Sequence, residues 1–247
     1  GLTPFDVPTG RGELKSVILT GSPDGELMVR FVLRSTESLV RIRKHMGLLR
    51  QWLPHIAVVS VNLLPERKAV LEGEEEILLG PEQSLRMDLG DVVLRLRPQS
   101  FFQTNTRVAV GLYRQAREWV GLLCDAETSE SADLEARGGE PAASASTGGR
   151  PIELWDLYCG VGGFALHAAL GGVERVSAVE ISPEAIASAQ HTAADLGVND
   201  RVHFIAADAQ EWAIAQGANA CPEAIVVNPP RRGIGATLAQ WLNDSRA

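Results

Sequence analysis

The period at which apolar residues recur changes along the chain, and each change marks an element. Leu14, Val17, Ile18 and Leu19 lead into the turn Gly21-Ser22-Pro23-Asp24-Gly25, and Leu27 to Leu33 alternates apolar with polar, which predicts a β-hairpin. Leu39, Ile42, Met46, Leu49 and Leu53 then recur at steps of three and four, the spacing of an amphipathic helix, which Pro54 ends. Short strands are expected over Val58–Leu63, Glu76–Leu79, Leu85–Leu89 and Val92–Leu96, with Gly90-Asp91 turning between the last two. A second helix presents Val108, Leu112, Trp119 and Leu123 as its apolar positions, with Thr104 or Asn105 as its cap.

From Ile152 the pattern becomes strand, helix, strand, helix. The strand Ile152–Leu157 runs into Gly160-Val161-Gly162-Gly163 and a helix over Phe164–Leu170. A strand over Val176–Val179 ends at Glu180; Ser182 then caps a helix with Pro183 in its first turn, which Gly197 stops. Val202–Ala206 ends at Asp208 before a short helix with Trp212, and Ala224–Val227 ends in Asn228-Pro229-Pro230-Arg231-Arg232-Gly233 before a helix over Ala236–Leu242. The expected class is α/β: a doubly wound, Rossmann-like parallel sheet over residues 151–247, preceded by a small α+β domain over 1–105 and a connecting helix over 106–124. Residues 125–150 are Ser, Ala, Gly and acidic with hardly any large apolar side chain, and are expected to be a disordered acidic loop.

Composition narrows the function classes. Hydrophobic residues make up 45% and charged residues 22%, as in ordinary globular proteins. No apolar run approaches the ~20 residues of a membrane span. Cys124, Cys159 and Cys221 lie far apart, which excludes a CxxC metal site and argues against a disulfide framework. The net charge of −8 is uneven. Residues 1–124 carry 16 Lys+Arg against 14 Asp+Glu, whereas 151–247 carry 5 against 11. The face of the first helix with Arg41, Arg43, Lys44 and Arg50 reads first as a solvated polar face and second as an RNA phosphate contact.

Candidate chemistry gathers at the carboxyl ends of the later strands, where ligands bind in such sheets. Gly160-x-Gly162-x-x-Ala165 fits a loose dinucleotide fingerprint, but on its own that signal leaves the ligand open. Asp156 is placed to brace the loop by accepting backbone N–H bonds. Glu180 lies 20 residues after Gly160, where a carboxylate can accept from both ribose hydroxyls of an adenosine-containing cofactor. Asp208 is placed either to meet an adenine amino group or to cap the next helix. The two prolines after Asn228 fix the backbone so that its amide faces the same cleft.

Four ordered segments carry a specific resemblance: Gln99-Ser100-Phe101-Phe102-Gln103-Thr104-Asn105, Asp156-Leu157-Tyr158-Cys159-Gly160-Val161-Gly162-Gly163-Phe164, Val179-Glu180-Ile181-Ser182 and Asn228-Pro229-Pro230-Arg231-Arg232-Gly233. Over nearly the whole chain the sequence resembles the RNA (uracil-C5)-methyltransferases, in the variant that acts on bacterial 23S rRNA. The resemblance implies S-adenosyl-L-methionine as cofactor, held by Gln103, Tyr158, Gly163, Glu180, Asp208 and Asn228. Gly163 departs from relatives with Asn there, so only its backbone can contribute. It further implies an RNA substrate, 23S rRNA in particular, and a cytoplasmic monomer with no membrane association.

In that family a cysteine thiolate adds to C6 of a flipped-out uracil, C5 attacks the cofactor methyl, and a carboxylate base removes the C5 proton. The resemblance puts the nucleophile and the base beyond Ala247, and iron–sulfur cysteines ahead of Gly1. The chain is therefore expected to be trimmed at both ends, with no catalytic residue of its own and no activity in isolation. Two other readings stay open. An amino-group methyltransferase for adenine or guanine is opposed by Arg231, where Tyr or Phe would stack the base. A non-catalytic RNA- or cofactor-binding module is the other.

Overall fold

A computed structural model of the chain describes residues 1–67, 69–103, 105–136, 152–217 and 220–245. It divides into two units: Gly1–Asp88 with Arg95–Gln99, and Leu89–Leu94 with Ser100–Ala247. The sequence-based boundary was expected between 105 and 106; the division instead assigns the segment from Ser100 to the second unit.

In the first unit β1 (Leu14–Gly21) pairs antiparallel with β2 (Leu27–Leu33), forming the expected hairpin. Helix α1 (Leu39–Trp52) then leads to β3 (Ile56–Leu63), which lies parallel to β2, and β4 (Glu75–Leu78) returns antiparallel to β3. The apolar stripe of α1 is buried as its spacing requires: Ile42 and Met46 pack with Leu33, Val61 and Phe31. Strands β5 (Leu85–Asp88) and β6 (Val93–Leu96) form a separate two-stranded sheet.

The alternate positions of β2 and β3 hold a polar network. Buried Arg30 donates from Nε and Nη2 to the two carboxylate oxygens of Glu76, at 3.0 and 2.7 Å, and also pairs with Glu72. Ser60 donates to Glu76, and the Asn62 amide donates to Glu76 (2.8 Å) and to the Gly73 carbonyl (3.0 Å). Burial alone would raise the Glu76 carboxyl; the bonds from Arg30, Ser60 and Asn62 outweigh it and hold the group below the usual carboxylate range.

In the second unit α2 (Thr106–Ala136) precedes a four-stranded parallel sheet in the order β10-β7-β8-β9, comprising β7 (Glu153–Leu157), β8 (Arg175–Glu180), β9 (Val202–Ala206) and β10 (Ala224–Val227). Helices α3 (Gly163–Leu170), α4 (Pro183–Leu196), α5 (Ala209–Gln216) and α6 (Gly235–Asp244) follow the strands in turn. Local signals set their ends: the Ser182 side chain accepts from the Ala185 amide, and Gly197 closes α4 in the left-handed conformation at φ 69°. On one sheet face Trp155 meets Trp212 edge-on (4.7 Å between centroids) and stacks on Trp241 (5.8 Å), with Leu157, Val179 and Leu238 in the same cluster.

Two expectations for α2 are corrected. The helix continues to Ala136, through the first part of the stretch expected to be disordered; Ala and Glu in 125–136 favour helix even where apolar residues are few. The rest of that stretch lies outside the described residues. The buried face is also different: Val108, Leu112 and Trp119 are 53%, 46% and 64% exposed, while Ala109, Tyr113 and Val120 are buried. The buried positions are four and seven residues apart, so the period was right and the phase was not.

Removing Glu76 takes from buried Arg30 its two-pronged partner, leaving only Glu72, and deprives Ser60 and Asn62 of an acceptor. Glu76→Ala is expected to destabilise the first unit by about 3–5 kcal/mol, read as a lower urea midpoint. A midpoint unchanged from the parent chain would show that the network carries no stability.

Candidate functional site

The four parallel strands end at one edge of the sheet, and the sequence places an unusual residue just past each end. After β7 the chain turns through Tyr158, a non-glycine residue held at φ 66°, then Gly160 (φ 55°) and Gly162 (φ 83°), before α3 begins. Gly162 needs both its conformation and its lack of a side chain: a Cβ there would come within 3.0 Å of the Phe204 ring and 3.1 Å of the Ala189 methyl.

Two carboxylates hold this loop. Asp156, fully buried on β7, accepts from the Ala165 amide at 3.0 Å through Oδ2, and its Oδ1 has no partner among the described residues. This is the brace expected from sequence. Glu180, at the end of β8, accepts from the Gly160 amide at 3.2 Å and from the Ser182 amide at 3.1 Å, one to each oxygen. Asp208 caps α5 by accepting from the Glu211 amide at 3.0 Å. The backbone N–H of Asn228 donates to the Leu157 carbonyl at 3.5 Å, tying the end of β10 to that of β7.

A cleft of about 710 Å³ opens between these strand ends. Gln103, Tyr158, Glu180, Asp208 and Asn228, five of the six residues singled out from sequence, line it together with Phe101, Ile181 and Pro229 to Arg232. Gly163 lies instead on a smaller adjoining cavity of about 40 Å³, whose walls include Gln103, Tyr158, Gly160, Asn228 and Tyr113. Sequence reasoning missed Tyr113, which its helix spacing had put off the buried face. It also left Phe101 without a role, although the aromatic pair beside Gln103 was unexplained by capping.

The electrostatics follow from burial. The Tyr158 phenol is raised by partial burial and by the Asp208 carboxylate, against the opposing Arg232 charge. The Cys159 thiol is pushed well above its ordinary range by burial and by Asp156 and Glu180, and its Sγ lies 3.7 Å from the Gly160 carbonyl. It is a packed thiol and a poor nucleophile. Cys221 is half-buried ahead of β10. Among the described residues no His, Cys, Asp and Glu group could hold a metal ion, and no helix is long and apolar enough to cross a membrane.

Burial pushes the Asp156 carboxyl up to about 7, with the Ala165 amide pulling it down and the Glu180 charge adding to the rise. The folded state therefore holds this proton more tightly than the unfolded chain does. The resulting stabilisation is complete below the ordinary value of 3.8, fades as pH rises, and is gone above about 7. Asp156→Asn, which cannot ionise, should gain in unfolding midpoint relative to the parent as pH rises from about 4 to about 8. A gap between the two midpoints that stays constant over this range would show that Asp156 does not titrate there.

The model of a family described as RNA cap guanine-N2 methyltransferase matches residues 153–240, within the parallel-sheet unit. The 23S rRNA (uracil(747)-C(5))-methyltransferase RlmC of Salmonella newport is 45% identical over 244 residues, covering 98% of this chain and 57% of that protein. Its counterpart from Escherichia coli strain SMS-3-5 is 44% identical over 245 residues, with the same coverage of each chain. The Pyrococcus abyssi tRNA (uracil-54, C5)-methyltransferase, solved with S-adenosyl-L-homocysteine, superposes with a TM-score of 0.66 at 20% identity over 99% of this chain and 51% of that one. That likeness shows the fold, which is the Rossmann-like fold of S-adenosylmethionine-dependent methyltransferases expected from the sequence. The chain spans a little over half the length of the curated relatives it matches, and over nearly its whole length it is similar to these RNA (uracil-C5)-methyltransferases.

Proposed function

We propose that this chain carries the S-adenosyl-L-methionine site of an enzyme that methylates C5 of a uridine in RNA, with 23S rRNA as the substrate. The observation that carries the reading is the position of Glu180. Its carboxylate lines the cleft while its two backbone bonds, to Gly160 and Ser182, fix its direction. A carboxylate has about four acceptor positions, so two remain for vicinal ribose hydroxyls. The cradle fits such a cofactor in other respects. Gly160 brings bare backbone to the cleft wall, where a side chain would narrow it, and Asp208 and Asn228 offer an acceptor and an amide at the neighbouring strand ends. Gln103 lines both cavities and serves the amino-acid end.

The cofactor, when bound, supplies an electrophilic methyl group. The chain's own residues orient it and exclude water; neither Cys159 nor Cys221 serves as the nucleophile, and we assign no catalytic residue to this chain. Uracil C5 is too weak a nucleophile without covalent activation at C6, so the proposed reaction draws its thiolate from elsewhere in the enzyme.

An RNA partner is supported by the charge on the first unit. From Ser38 to Pro65 the sequence contains Arg41, Arg43, Lys44 and Arg50 and no acidic residue, within a chain of net charge −8. Arg41, Lys44, Leu48 and Trp52 share an exposed stripe of α1, and Trp52 offers an aromatic face beside the cations.

Two measurements test these assignments. Calorimetric titration should show S-adenosylmethionine binding, weakened by about 1–3 kcal/mol in Glu180→Gln, the scale of a hydrogen bond to a charged group. Equal affinities would remove Glu180 from the site. Binding of a 23S rRNA fragment should weaken in the double variant Arg41→Glu/Lys44→Glu, with the logarithmic salt slope reduced by about 2. An unchanged slope would return α1 to a merely solvated face.

A further inference from the structure

We propose that Tyr113, on α2, is a cofactor-binding residue whose hydroxyl hydrogen-bonds the carboxylate of the amino-acid portion of S-adenosylmethionine. This rests on the cofactor assignment above.

The tip of the Tyr113 ring occupies the space over Gly163. A Cβ on Gly163 would stand 2.4 Å from Tyr113 Cζ and 2.6 Å from its Oη, nearer than packed atoms approach. The absence of a side chain at 163 is therefore what lets a group from α2 reach the loop. The tyrosine is then held from two sides: Phe164 meets its ring edge-on at 4.8 Å, and the His167 ring lies 5.1 Å away. His167 in turn is anchored through Nδ1 on the Gly163 carbonyl at 2.7 Å. Burial lowers the His167 pKa, so the ring stays neutral and donates that bond from Nδ1.

The hydroxyl is the part left without an internal role. Tyr113 is only 6% exposed, and its hydroxyl has no hydrogen-bond partner among the described residues. Buried tyrosines ordinarily place that group on a partner. The small cavity that Tyr113 lines shares Gln103, Tyr158, Gly160 and Asn228 with the main cleft, so a ligand in the cleft reaches both. The choice of ligand atom follows from the state of the phenol: burial and the Asp156 charge push it up to about 12, so it stays protonated and acts as a donor, which matches a carboxylate oxygen.

Tyr113→Phe keeps the ring and its packing and deletes only the hydroxyl. Calorimetry should show S-adenosylmethionine and S-adenosylhomocysteine binding about threefold to tenfold more weakly, the range of one hydrogen bond, with the melting temperature of the unliganded chain unchanged. Methylthioadenosine, which has the adenosine and sulfur but lacks the amino-acid portion, should bind both proteins equally. Equal weakening of all three ligands would mean that Tyr113 only shapes the cavity, and no weakening of any would overturn the assignment. Gly163→Ala provides an independent check. It should lower the melting temperature by displacing the ring, and Gly163→Ala/Tyr113→Ala should bind S-adenosylmethionine no better than Gly163→Ala does. Recovery of that affinity in the double variant would also overturn the assignment. A parent chain that binds methylthioadenosine but not S-adenosylmethionine would sink the Tyr113 contact alone, whereas one that binds neither would sink the cofactor reading itself.

Discussion

The site depends on one constraint: the chain leaving β7 must turn sharply into α3 with its backbone amides held in place. Glycine makes that turn possible and also makes it floppy, since Gly160 and Gly162 have more backbone freedom to lose than other residues. The two carboxylates offset that freedom from different directions. Asp156 takes the Ala165 amide from within the core, and Glu180 takes the Gly160 amide from the end of the next strand. Because Glu180 sits on β8, the position of the loop is referred to the sheet as a whole and not to β7 alone.

That arrangement has an electrostatic consequence. Burial, with the Glu180 charge adding to it, raises Asp156 to about 7, and its Oδ1 has no partner among the described residues. A proton on Asp156 removes its buried charge and with it the repulsion from Glu180. The half-buried Glu180 keeps contact with the cleft, so negative charge concentrates where ribose hydroxyls are proposed to bind.

The readability of the sequence tracked how local each signal was. Helix α4 was legible at both ends because Ser182, Pro183 and Gly197 act within a few residues of themselves. The cleft residues were legible because a parallel sheet brings every strand end to one edge, so that Glu180, Asp208 and Asn228 had to be neighbours. The Arg30–Glu76 pair was not, since it joins strands 46 residues apart and Arg30 reads as the polar half of an alternation. Tyr113 escaped for a different reason. A phase error of one residue on α2 put Val108, Leu112 and Trp119 on the buried face, and the true face begins with Ala109, too small to stand out in a hydrophobic pattern. The signal for Tyr113 lay at Gly163, fifty residues away, as a missing side chain.

Asp208 shows why capping and ligand binding are poor alternatives at such an edge. From sequence, the two roles competed for the same side chain. In the structure Oδ1 takes the Glu211 amide and so caps α5, while the residue also lines the cleft. One oxygen anchors the carboxylate, and the other acceptor positions are free to face a ligand. Glu180 follows the same logic with backbone bonds on both oxygens and acceptor positions to spare. A cap bond restricts the rotamers of the side chain before any ligand arrives, which lowers the entropy lost on binding. The structural role is thus what would make the proposed ligand-binding role geometrically precise.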